Sequence, residues 1–142
     1  MPQPQDPYKN FNFRVEIDGI SIAGFAECNG LGTRVDVIEY REGGSSAVRK
    51  LPGLRKVSDI VLKRGVTSSS ELQDWHKKIL NGQADRRNGS VVLLDDTGQE
   101  VVRWNFFHAF PSRWEGPHLK GEGQDVAIET LTLACEGLER VT

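Results

Sequence analysis

The chain has 142 residues, 37% hydrophobic and 27% charged, with eighteen basic against twenty acidic side chains and a net charge of −2. That length suits one domain spanning 1–142 that buries roughly two thirds of its unfolded surface, and the balance of charge argues against a nucleic-acid or anionic-membrane surface. No apolar run approaches the ~18 residues needed to span a bilayer, and the start M-P-Q-P-Q-D-P-Y lacks the basic start and apolar core of a secretion signal, so synthesis and assembly in the cytoplasm, with no membrane anchor, are expected.

Pro2, Pro4 and Pro7 predict an extended N-terminal arm over 1–7. Phe11, Phe13, Val15 and Ile17 alternate with Asn12, Arg14, Glu16 and Asp18, the period of a half-buried strand. Asp18-Gly19 is a hairpin signal, so Ile20 to Cys28 is expected to return antiparallel. A strand over Thr33 to Tyr40 follows the Asn29-Gly30 and Gly32 turn. Arg41 to Arg55 carries four turn-type residues, Gly43 to Ser46, and later Pro52-Gly53. It reads as a long basic-tipped loop or extended hairpin, a length that in a compact domain points to function or disorder.

Val57 to Arg64 is the next strand, with Ser58, Ile60 and Leu62 on one face. A helix is predicted over about Ser69 to Asn81. Ser68 and Glu71 have the spacing of a capping box, Leu72, Trp75 and Ile79 share a stripe, and Gly82 suits the C-terminal cap. Val91 to Leu94 and Glu100 to Phe107 flank the hairpin turn Asp95-Asp96-Thr97-Gly98. The final strand, Val126 to Glu136, sends Ala127, Glu129, Leu131, Leu133 and Cys135 one way. Short strands with one helix favour a mostly β (α+β) fold, an antiparallel sandwich or barrel with one flanking helix.

Nothing in this order assembles chemistry. His76, His108 and His118 share no metal-ligand spacing, and Cys28 and Cys135 form no C-x-x-C, so they read as two reduced, packed thiols. Ser68 to Ser70 have no adjacent histidine. Asp95 and Asp96 fit turn geometry, and Gly43-Gly44 and Gly121-Glu122-Gly123 lack a phosphate cradle. No catalytic residue, cofactor site or metal site is expected. What a monomer leaves unexplained is the Pro-rich arm, the 41–55 loop, and a corner after Pro111 that carries Trp114, Glu115 and Pro117. All three are appendages suited to subunit contact.

The stretch W-N-F-F-H-A-F-P-S-R-W-E-G-P from Trp104 closely resembles the end of gp19-type tail-tube proteins of contractile phage tails and extracellular contractile injection systems. The resemblance extends to F-x-F-x-V-x-I-D-G at Phe11 to Gly19, Phe25-x-x-Cys28-x-Gly30-Leu31, Glu39 to Gly44, Lys50 to Gly53, Leu62 to Gly65 and Val126 to Leu131. Each piece alone is weak, but their order along nearly the whole chain is specific. It implies the Hcp-like tail-tube fold and a structural subunit of an inner tube. Hexameric rings would stack into a hollow conduit inside a sheath protein, with baseplate or spike and terminal cap proteins at its ends and protein or DNA cargo in its lumen.

A baseplate tube-initiator or hub paralogue is the alternative. Under the tube reading Arg41, Gly43, Gly44, Arg49, Lys50, Leu51, Pro52, Leu54 and Arg55 are candidates for inter-ring contact. Trp114, Glu115 and Pro117 are candidates for a subunit-contact corner, and Asp59, Lys63, Arg34, Asp36 and Glu129 are candidates for the lumen wall. The finished particle would be a phage tail or an injection particle.

Overall fold

The computed structural model describes residues 6–20, 24–44 and 46–141. Met1 to Gln5 of the expected arm, and Ser45, lie outside them. Nine strands and one helix are described: β1 (Phe13–Ile17), β2 (Phe25–Asn29), β3 (Thr33–Tyr40), β4 (Arg49–Val57), β5 (Ile60–Gly65), α1 (Glu71–Leu80), β6 (Arg87–Leu94), β7 (Glu100–Glu115), β8 (Ile128–Ala134) and β9 (Gly137–Arg140).

Seven strands form one sheet path, in the order β1-β6-β7-β8-β5-β2 with β9 also on β7, while β3 and β4 make a separate two-stranded sheet. All pairings are antiparallel. β7 holds the fold together. Its first half pairs with β6 and β9 and its second half with β8, so two layers share one strand. Between the halves His108 takes φ +52, and its backbone N–H leaves the ladder to donate to Asn88 Oδ1 at 2.9 Å.

The expected corner at Pro111 is not there. Pro111 sits inside β7 beside a register shift between Pro111 and Arg113, where a bulge spares the missing N–H. The strand continues to Glu115, and Trp114 packs against the core instead of standing at a corner.

The predicted hairpin after β1 also fails. The Asp18-Gly19 turn closes only an Ile17–Ile20 bridge, and β2 crosses to pair with β5. The partner that β1 takes is β6, which sets Val15 against Val91 and Ile17 against Gly89, so the apolar face of β1 is completed there. Gly89 is required because an added Cβ would overlap the Phe106 ring and the Glu16 carbonyl. β2 is held on β5 by Glu27 facing Lys63 at 3.7 Å and Phe25 opposite Arg64. The expected final strand, Val126 to Glu136, is the shorter β8, and a further strand that was not expected, β9, follows it after Cys135-Glu136.

The core between the layers is built from Val15, Ile60, Leu62, Val91, Phe106, Leu131 and Leu133, with Leu72 and Trp75 from α1. The helix begins two residues later than predicted, and Ser70 at its start makes no capping bond with its side chain: its hydroxyl donates to the Asp74 carboxylate at 2.9 Å, while the Glu71 amide donates to the Ser69 hydroxyl at 3.5 Å. Gly82 follows its end at φ +83. The Trp75 indole N–H donates to the Asp85 carbonyl at 2.8 Å, and His76 Nδ1 donates to the Pro111 carbonyl at 2.9 Å, which ties α1 to β7.

Candidate assembly surfaces

β3 and β4 form an arm rather than a loop. Only 41–48 of the expected 41–55 segment lies between strands; Arg49 onward is β4. Residues directly opposite in an antiparallel pair share a face. Ile38 therefore stands beside Leu51, and Tyr40 beside Arg49, on one side, while Val37 stands beside Pro52, and Val35 beside Arg55, on the other. Val35, Val37, Ile38, Tyr40, Leu51 and Leu54 are all exposed. An isolated two-stranded ribbon is marginal in water, and one with apolar groups on both sides needs cover on both. Arg34 and Lys56 share Asp36 at 3.8 and 3.3 Å. Arg41, Arg49, Lys50 and Arg55 have no ion partner among the described residues.

A second surface is the segment 116–127, which follows β7 and runs back to β8. Its Glu122 and Asp125 are exposed, as are Leu119 and Val126. It overhangs a cleft of about 530 Å³ lined by Lys63, Glu115, His118, Lys120, Asp125 and Thr130 among others. Glu115 is held by Arg113 at 2.5 Å, and Pro117 is half-buried. Of the three expected corner residues, Glu115 and Pro117 border this surface, whereas Trp114 is turned inward.

A third surface is an apolar groove of about 610 Å³ where β1 and β2, the two ends of the sheet path, approach each other; Tyr8, Phe11, Phe13, Leu31, Leu93 and Trp104 line it.

Glu129 is no wall residue. It is buried and accepts from Arg64 Nε at 2.7 Å, with Arg64 itself 2% exposed. Phe25 lies over the guanidinium at 5.9 Å, and Arg64 Nη1 and Nη2 find no hydrogen-bond partner among the described residues. The alternation of β8 showed which way Glu129 points, but the partner comes from β5, 65 residues away, and no local pattern names it.

Several groups with reactive potential are engaged in structure. Burial pushes the thiols of Cys28 and Cys135 up to about 11, which favours the protonated form. Asp95 clasps its turn, accepting from the Thr97 hydroxyl at 2.6 Å and the Thr97 and Gln99 amides at 2.9 Å, with its carboxyl held low by that hydroxyl first. Within β1, burial works against ionisation of Glu16, but hydrogen bonds from Arg103 and Arg14 outweigh it and lower its pKa. Among the described residues no group of three or more His, Cys, Asp or Glu is placed to hold a metal ion, and no helix is long and apolar enough to cross a membrane.

The family model for the T4-like virus tail tube protein gp19 matches residues 9–139. The chain belongs to that family. A chain in the anti-feeding prophage cap (AFP tube terminating cap) is 26% identical with a TM-score of 0.91, over 100% of this chain and 95% of that one. A chain in the sheath-tube complex of the PVC extracellular contractile injection system, in its extended state, is 28% identical with a TM-score of 0.87, over 96% and 92%. Hcp1 from Flavobacterium johnsoniae, at 15% identity and a TM-score of 0.60 over 92% and 94%, shares the fold. No curated protein matches the sequence. The tail-tube fold expected from the sequence is the fold observed. The tail-tube protein thus presents a packed core and three exposed surfaces that are candidates for assembly, and the family match favours the tube over the baseplate-initiator alternative.

Proposed function

We propose that this tail-tube protein forms hexameric rings that stack into the hollow inner tube of a contractile injection particle. The tube is enclosed by a sheath protein, ends on a baseplate or spike and a terminal cap, and acts as a conduit without catalysis. The observation that carries this is the β3–β4 arm, apolar on both faces and basic along its length, on a core that is otherwise complete. Such an arm is stable only when another surface covers it. A relative 26% identical, with a TM-score of 0.83, occurs in the AFP baseplate, 6-fold symmetrised, which supports the ring number.

Closing a ring removes the free edges of β1 and β2, so the inner wall is β-structure, and α1 lies outside it. Rings join through Arg41, Gly43, Gly44, Arg49, Lys50, Leu51, Pro52, Leu54 and Arg55. Assembly takes place in the cytoplasm, and the finished particle acts elsewhere.

Electron microscopy of the purified protein, alone and with baseplate, tests this. Tubes of many rings with six-fold symmetry are the expected result. A single ring that never extends would assign the chain to the initiator, and a persistent monomer even with baseplate present would overturn the reading.

A further inference from the structure

We infer that the cleft beneath segment 116–127 is the receptor for the β3–β4 arm of a second copy of this chain, in the next ring. The inference rests on the tube reading above and names the two surfaces that meet.

Topology places them at opposite ends of one strand. The arm leaves β2 at Asn29 and re-enters at Ile60, its base closed by the Ser58 amide on the Gly32 carbonyl at 3.0 Å, with Asn29 paired to Val61. Segment 116–127 enters β8 beside Gly65, which pairs with Ile128, and the Val66 amide bonds the Ala127 carbonyl at 2.9 Å. The six residues of β5 separate the two by about 20 Å at ~3.3 Å per residue. A contact between opposite ends of one subunit is heterologous, and when it does not close on itself it propagates as a filament. Two surfaces at the same end could only cap one another.

Chemistry matches the placement. Residues 33–57 hold six basic and three acidic side chains; the rest of the chain holds twelve and seventeen. The arm is thus a positive projection from a negative body. Its unpaired Arg49, Lys50 and Arg55 flank Leu51 and Leu54, 42% and 72% exposed. Segment 116–127 carries Glu122 and Asp125, neither with an ion partner among the described residues, beside Leu119 and Val126, 79% and 73% exposed. Val66, also exposed, adjoins the segment through its amide bond to the Ala127 carbonyl. Lys63 in the cleft already faces Glu27, and Lys120 is the opposing charge an incoming arm must pass. The groove between β1 and β2 offers more apolar surface, but the carboxylate that lines it, Glu27, is already engaged by Lys63 at 3.7 Å.

Charge exchange tests the pairing. Glu122→Lys with Asp125→Lys should abolish tube growth at concentrations where the wild type assembles, and so should Arg49→Glu with Lys50→Glu, each with an unchanged melting temperature. Combining all four changes in one chain, or mixing the two variants, should restore tubes, because each reversed surface then meets its complement. Either variant growing normal tubes alone, or failure of the combined chain to recover, would overturn the inference. A cysteine pair gives a second readout that needs no charge change. Leu54→Cys should cross-link to Leu119→Cys in mixed tubes under oxidation, and cross-linking to Phe11→Cys instead would move the receptor to the β1–β2 groove. Wild-type protein that forms no tubes at all would count against the tube reading itself, a result separable from these.

Discussion

Arg64 and Glu129 show what the residue scale adds. Breaking a buried pair by removing one partner strands a charge and costs about 3–5 kcal/mol, whereas replacing both by apolar groups of similar volume is often neutral or stabilising. Glu129→Ala is therefore expected to lower urea stability by about 3–5 kcal/mol, and Arg64→Met with Glu129→Leu to recover most of it. If the double variant were as unstable as the single, packing rather than charge would govern the site.

Asp85 gives a pH effect. Hydrogen bonds from Arg87 lower its carboxyl most, against the pull of burial, and Lys78 helps. A folded pKa below the unfolded value of about 4 means that this stabilisation is present above pH ~4 and lost as pH falls through the folded pKa. Asp85→Asn should flatten the acid side of a stability-versus-pH curve while leaving its shape near neutrality unchanged. His108 gives a third test. At φ +52 a β-branched residue is strained by roughly 1–3 kcal/mol, so His108→Val should destabilise and His108→Gly should be tolerated.

At the scale of elements, the sequence is legible where pattern and partner are local. β3, α1 and the Asp95–Gly98 turn lie where alternation, helical spacing and turn residues place them. β1 was legible as a strand but not as a partner of β6, because pairing across more than seventy residues leaves no local trace. Pro111 misled for a physical reason: proline usually ends a strand, yet a bulge accommodates it here. Trp114 was thereby read as surface, although the register shift after Pro111 turns it to the core. The arm was visible as an anomaly of length and glycine content, while its pairing as a ribbon depends on the cross-strand register. Because its two strands form a sheet of their own, replacing Gly43 to Leu51 with a short Gly-Ser link is expected to leave cooperative unfolding intact, with a melting temperature near that of the wild type, and to abolish tube growth. Normal tubes from that variant would move ring contact away from the arm.

At the scale of the whole molecule, charge is segregated rather than large: a net −2 conceals a basic arm on an acidic body. Contacts between such surfaces are screened over about 8 Å at physiological ionic strength and 3 Å at 1 M salt. Raising salt to 1 M should therefore raise the protein concentration needed for tube growth, read by light scattering, while the melting temperature of the unassembled subunit moves little. A tube indifferent to salt would mean that Leu51 and Leu54 supply the contact alone.

β7 has a mechanical consequence as well. It is a single sixteen-residue strand belonging to both layers. A particle that drives its tube through a barrier loads each subunit in shear, and layers joined by side-chain packing alone would slip past one another. Here slippage must stretch a covalent backbone. The subunit should consequently yield first at its borders with other copies, so that a tube stressed to failure sheds intact subunits before any of them unfolds.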